Sequence, residues 1–118
     1  MDNKDLITKL EAAMEAEQEE LILEALQYAF EHDWIIASIF VRAKRWVWLD
    51  AYLSAAEVLV PEGYTWEVSS PMFLTDLERK PAAFVWPPSR CGGPKPYGAT
   101  PALALCIAAL KARDEAAE

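Results

Sequence analysis

The chain has 118 residues, of which 53% are hydrophobic and 25% charged. That is the size of one domain with enough apolar surface to offset chain entropy, so wholesale disorder is excluded. Eleven Lys and Arg against nineteen Asp and Glu give a net charge of −8 and a pI near 4.6, which repels phosphate and argues against nucleic acid or an anionic membrane as partner. The start of the chain carries Asp2 and Asp5 where a secretory leader has bases. The longest apolar run, Trp34 to Val41, is interrupted by Ser38 and too short to span a bilayer. A cytoplasmic location, no membrane contact and no cofactor are expected. Cys91 and Cys106 lack the paired spacing of a zinc site or a disulfide framework and read as free thiols.

In chain order, a first helix is predicted from about Lys4, capped by Asn3, with Leu6, Ile7, Leu10, Ala13 and Met14 on its inward stripe. Glu15, Glu17, Glu19 and Glu20 then crowd together before a second stripe of Leu21, Ile22, Ala25, Leu26, Ala29 and Phe30. Two helices broken near Ala16 are favoured over one long helix. Between Trp34 and Trp48, Ile35, Ile36, Ile39, Phe40, Ala43, Trp46 and Val47 recur at helical spacing, with Ser38, Arg42 and Arg45 opposite. A strand is the alternative there, given the β-branched and aromatic content.

Asp50 is placed as the N-cap of a helix through Leu53, Ala56 and Leu59 that stops at Pro61-Glu62-Gly63. Tyr64, Trp66 and Val68 alternate with Thr65 and Glu67 as a half-buried strand. A short strand at Met72 to Thr75 and an edge or terminal strand at Ala82 to Trp86 follow, the latter with Phe84 and Trp86 on one side; Trp66 and Trp86 are expected inward. Residues Ser89 to Ala99 read as loop. Thr100-Pro101 marks the last helix, since Thr caps exposed amides and Pro at the first helical position loses no hydrogen bond. Leu103, Ile107 and Leu110 line one side of it and small alanines allow close approach to a sheet. The charged tail from Lys111 to Glu118 is expected to fray.

These elements predict a single α+β domain over 1–118: a small, mainly antiparallel sheet covered by helices, an alpha-beta-alpha sandwich, with a helical N-terminal part at 3–48. The segment Val60-Pro61-Glu62-Gly63-Tyr64-Thr65-Trp66 after an Ala-rich helix, the Phe84-Val85-Trp86-Pro87 strand, Tyr97-Gly98, and Thr100-Pro101-Ala102-Leu103-Ala104-Leu105-Cys106-Ile107-Ala108-Ala109-Leu110-Lys111-Ala112-Arg113 resemble the phage ABA sandwich domain. The resemblance spans 51–113, leaving 114–118 as tail. It departs from the family at Glu15-Ala16-Glu17, where relatives have Gly-Pro, and at Ser54, where they have Asp; Ile35 to Leu49 looks like an insertion. It implies helices on a sheet, a phage or prophage origin, and no known activity.

Candidate chemistry is sparse. His32 is the lone histidine, at a helix end where a cap is the simpler role. The loop Cys91-Gly92-Gly93-Pro94-Lys95-Pro96-Tyr97-Gly98 is Gly-rich, but its prolines remove amides a phosphate cradle needs, and the P-loop ending is missing. Trp46 and Trp48 beside Arg42 and Arg45 form the residue set that most often anchors interfaces, if they are not buried. The expectation is a non-catalytic phage or prophage accessory protein that binds a phage or host protein partner or a second copy of itself. The alternative is an acidic inhibitor of a host nucleic-acid-binding defence protein, using Glu15, Glu17, Glu19 and Glu20 as charge mimics.

Overall fold

The computed structural model describes residues 3–69, 81–88 and 96–116. In chain order it contains α1 (Asn3–Ala12), a 3-10 turn (Glu15–Glu17), α2 (Gln18–Glu31), α3 (Ala37–Trp48), α4 (Tyr52–Glu57), β1 (Thr65–Ser69), β2 (Ala82–Trp86) and α5 (Pro101–Ala116). The fold is α+β, as the sequence predicts: two antiparallel strands packed against helices. The expected strand at Met72 to Thr75 lies outside the described residues.

α1 and α2 are separate helices because the chain turns sharply at the glutamates. The Glu17 carboxylate accepts the Met14 backbone N–H at 3.0 Å, closing the turn. Met14 itself is extended and 69% exposed. It leaves the predicted inward stripe because α1 has already ended at Ala12. Asn3 is the first helical residue rather than a cap, and its side-chain amide donates to the Leu110 carbonyl at 3.1 Å. Leu6, Ile7 and Leu10 of α1 and Leu21, Ile22, Ala25, Leu26 and Ala29 of α2 are buried as predicted.

α2 and α3 end alike. Asp33 and Asp50 both have positive φ, 58° and 61°. In each case the next residue's N–H reaches back five positions, Trp34 to the Ala29 carbonyl at 2.9 Å and Ala51 to the Trp46 carbonyl at 2.7 Å. This is the Schellman closure, with Asp tolerated in the left-handed position that glycine usually fills. Asp50 therefore terminates α3 and does not cap α4. Its Oδ1 accepts from the Tyr52 hydroxyl at 2.9 Å, and α4 is a short helix that buries Ala55 and Ala56, with Leu59 buried just beyond it.

The turn from Pro61 to Tyr64 closes by a Tyr64 N–H to Pro61 carbonyl bond of 3.1 Å, with Gly63 at φ 84°. β1 then pairs with β2 in the register Trp66 to Val85 and Val68 to Ala83. Those four residues form the face packed on the core. Because side chains alternate across a strand, Phe84 and Trp86 must point to the opposite face, across from Glu67 and Thr65. Trp86 is thus not a core residue with Trp66, as the sequence suggested; it is half-buried on the outer face, edge-to-face with Phe84 at 5.9 Å. β2 is an edge of this two-stranded sheet, as the sequence predicts. Tyr97 bridges Ala82 on its other side, with Ala83 N–H to Pro96 carbonyl and Gly98 N–H to Pro81 carbonyl bonds of 3.2 and 3.1 Å. Part of the predicted loop therefore runs beside β2 through an isolated bridge. Gly98 packs so tightly against α5 that a β-carbon would lie 2.5 Å from the Ala104 backbone nitrogen.

α5 is the centre of the molecule. Every residue from Ala102 to Leu110 is buried, because the hairpin covers one side and α1, α2 and α4 cover the rest. Among the described residues the sheet rests on α5, with α1, α2 and α4 packed on that helix and α3 packed on α2 and α4. An apolar circumference without a polar stripe is what such a site demands. Thr100 accepts the Leu103 N–H at 3.2 Å, the predicted cap, and its hydroxyl also donates to the Gln18 side-chain oxygen at 2.7 Å. The helix continues through Ala116 instead of fraying at Lys111: Ala112 is buried and Arg113 donates from Nε to the Leu59 carbonyl at 2.7 Å.

Candidate functional site

α3 is strongly amphipathic and has only α2 and α4 as neighbours among the described elements. Phe40, Ala43 and Val47 face inward. Phe40 is fixed by stacking on Phe30, ring centres 4.7 Å apart, with the Lys44 ammonium 4.5 Å from its centroid. The outer row runs through Ser38, Val41, Arg42, Arg45 and Trp48, at helical spacing and all exposed. Trp48 is 63% exposed and Leu49 76%. A shallow groove of about 410 Å³ follows this row, lined by Ala37, Ser38, Val41, Arg42 and Arg45.

Of the four residues singled out from the sequence, Arg42, Arg45 and Trp48 share this face, while Trp46 is half-buried and packs against the core. Ile36, assigned to the inward stripe, is 68% exposed because it is the extended residue before the helix. Val41 and Leu49 were missed. Heptad-like spacing from Val41 to Trp48 was the signal that could have shown them. Residues 34 to 49 contain Arg42, Lys44 and Arg45 and no acid, in a chain that is otherwise acidic.

The four glutamates surround the start of α2 without lining up. Glu17 and Glu20 share a groove of about 330 Å³ with Lys9, Leu21 and Glu24, where Lys9 and Glu24 pair at 3.0 Å. Glu19 acts in the other direction. It adds to the effect of Asp50, whose hydrogen bond is the main cause holding the Tyr52 hydroxyl above its ordinary pKa. Glu15 is exposed in the 3-10 turn.

A third groove, of about 360 Å³, is walled by Trp34, Ile35, Ile36, Ile39, Val58 and Val60 and reaches Arg113. The Arg113 guanidinium lies 4.7 Å from the Trp34 ring centre, and burial lowers its pKa. Sequence reasoning placed this arginine in the tail. His32 does act at a helix end, with Nδ1 2.9 Å from the Tyr28 carbonyl and its ring stacked on Tyr28. Cys106 is a free thiol enclosed by α5's neighbours, and desolvation pushes its pKa up to about 12, which keeps it un-ionised and unreactive at neutral pH. Cys91 and most of the glycine-rich loop lie outside the described residues. No group of three or more His, Cys, Asp or Glu among the described residues is placed to hold a metal ion, and no described helix is long and apolar enough to cross a membrane.

Comparison with family models, curated proteins and solved structures found no match to this chain.

Proposed function

We propose that this protein is a small phage or prophage accessory protein that acts by binding another protein through the outer face of α3, without catalysis. One observation carries the reading: α3 satisfies its packing with Phe40, Ala43 and Val47 yet keeps Val41, Trp48 and Leu49 exposed beside Arg42 and Arg45. Scattered single apolar residues on a surface are ordinary, but a row of them on one helix, flanked by arginines and carrying a tryptophan, has the make-up of an interface core.

The test compares proteins captured from the bacterial host by tagged native chain and by tagged Trp48→Asp, with circular dichroism confirming that the variant folds. Specific retention by the native chain that is lost in Trp48→Asp is expected. Equal recovery with both baits would remove α3 from the function.

A further inference from the structure

We infer that the groove between the start of α3 and the end of α5 binds a free apolar α-amino acid. Arg113 takes its carboxylate, Glu57 and Glu62 its ammonium, and the isoleucine and valine walls its side chain. The site shares no residue with the Arg42, Arg45 and Trp48 face and goes beyond the proposed function. α3 and α5 are not packed on each other, yet Ile39 of α3 and Arg113 of α5 line one groove. The gap between the two helices is walled instead by Trp34, Ile35 and Ile36 from the α2–α3 connection and by Val58 and Val60 from the stretch after α4. At about 360 Å³ it falls within the range of small-molecule sites, about 300–1,000 Å³. Ile36, 68% exposed, leaves apolar surface uncovered within it.

The charges select the ligand. Arg113 is half-buried, with Nε committed to the Leu59 carbonyl at 2.7 Å and the guanidinium held 4.7 Å from the Trp34 ring centre. Those contacts fix the plane of the group and leave its terminal nitrogens as donors. Among the described residues it forms no ion pair, although a cation that has given up water ordinarily has one. Glu57 and Glu62 line the same groove, are exposed, and also form no ion pair with the described residues. A guanidinium and two carboxylates that share a groove without touching call for a bridge with a negative and a positive group close together. An α-amino acid carries both on one carbon, and its carboxylate suits the fork of an arginine. A simple carboxylate would satisfy Arg113 but face two acids, and a simple amine would face the arginine.

Titration of L-leucine into the full chain labelled with nitrogen-15, followed by NMR, tests this on the native protein. Leucine should shift the Trp34, Ile39, Val58 and Val60 amides and the Arg113 Nε–H saturably, with half-saturation at about 1 mM or below. Leucinamide lacks the carboxylate and isocaproate lacks the ammonium, and each should bind at least about tenfold more weakly. L-alanine keeps both charges but not the apolar body, and should weaken likewise. Glu57→Gln with Glu62→Gln should erase the advantage of leucine over isocaproate, with the amide spectrum confirming the fold; if that variant fails to fold, Glu62→Gln alone should narrow the same gap. The absence of a saturable shift at these residues at about 20 mM leucine, well above a millimolar dissociation constant, overturns the inference. Leucinamide as tight as leucine removes Arg113 from the site, and isocaproate as tight as leucine, or an advantage that survives loss of the acids, removes Glu57 and Glu62; each of these overturns it as well.

Discussion

α5 and α3 are both rich in apolar residues, but they solve opposite problems. α5 is surrounded, and its apolar residues fall on every side because every side has a partner. α3 lies at the margin, and its inward stripe of Phe40, Ala43 and Val47 is separated by a turn's width from a second apolar row that has none among the described elements. Apolar content alone therefore does not tell core from contact surface. What distinguishes them is whether the rest of the chain supplies a neighbour for each face.

The sharpest contrast should come from truncating the two helices. Ile107 is fully buried, so Ile107→Ala should cost about 2–5 kcal/mol by lost transfer energy and an unfilled cavity. Chemical denaturation would read it, and a change under about 1 kcal/mol would show that α5 is not enclosed. Thr100→Ala removes the cap of α5 and leaves the Gln18 side chain without its donor; a loss of about 1–2 kcal/mol is expected. The same variant with Gln18→Ala should lose little more, since the two act as one unit.

Burial of α5 also makes a pH prediction. The Cys106 pKa is raised from 9.0 to about 12 in the folded chain. A folded-state value above the unfolded one means that the native state retains its proton longer, so the contribution to stability is intact below pH 9.0 and is lost as pH rises toward about 12. Cys106→Ala should flatten that alkaline decline relative to the native chain. In native protein at neutral pH, labelling of this thiol should proceed only as fast as the core opens, measured by mass spectrometry with and without denaturant. Smallest of all should be Val41→Ser on α3, within about 0.5 kcal/mol of the native stability. A loss of 2 kcal/mol or more there would mean that the outer row of α3 is packed within the monomer, and the comparison would collapse.

Much of the fold was legible. Helix positions followed from stripes such as Leu21, Ile22, Ala25, Leu26 and Ala29, and the Thr100-Pro101 cap was readable because its chemistry is local. Misplacements arose where the deciding contact is distant or where one residue has two plausible neighbours. Asp50 can cap a following helix or close a preceding one, and the backbone at φ 61° selects the second. Trp86 looked inward by alternation, but alternation fixes only that Val85 and Trp86 differ; the pairing of Val85 with Trp66 decides which is inside. Arg113 looked like tail because its partners, Leu59 and Trp34, lie far back in the chain. For the candidate site, residue type pointed to Arg42, Arg45 and Trp48, while Trp46 could be separated from Trp48 only once the helix phase was known.

The position of α5 in the chain has a consequence for biosynthesis. α1, α2 and α4 precede it by up to about a hundred residues of translation, and each buries part of its surface against a helix that begins at Pro101. Until that segment leaves the ribosome, the surfaces of α1, α2 and α4 that it covers stay available to chaperones, proteases or one another. Folding should thus be a late, nearly all-at-once event, triggered when Thr100 can reach Gln18 across 82 positions of sequence. Nascent chains stalled before Pro101 should be far more protease-sensitive than chains released beyond Ala116.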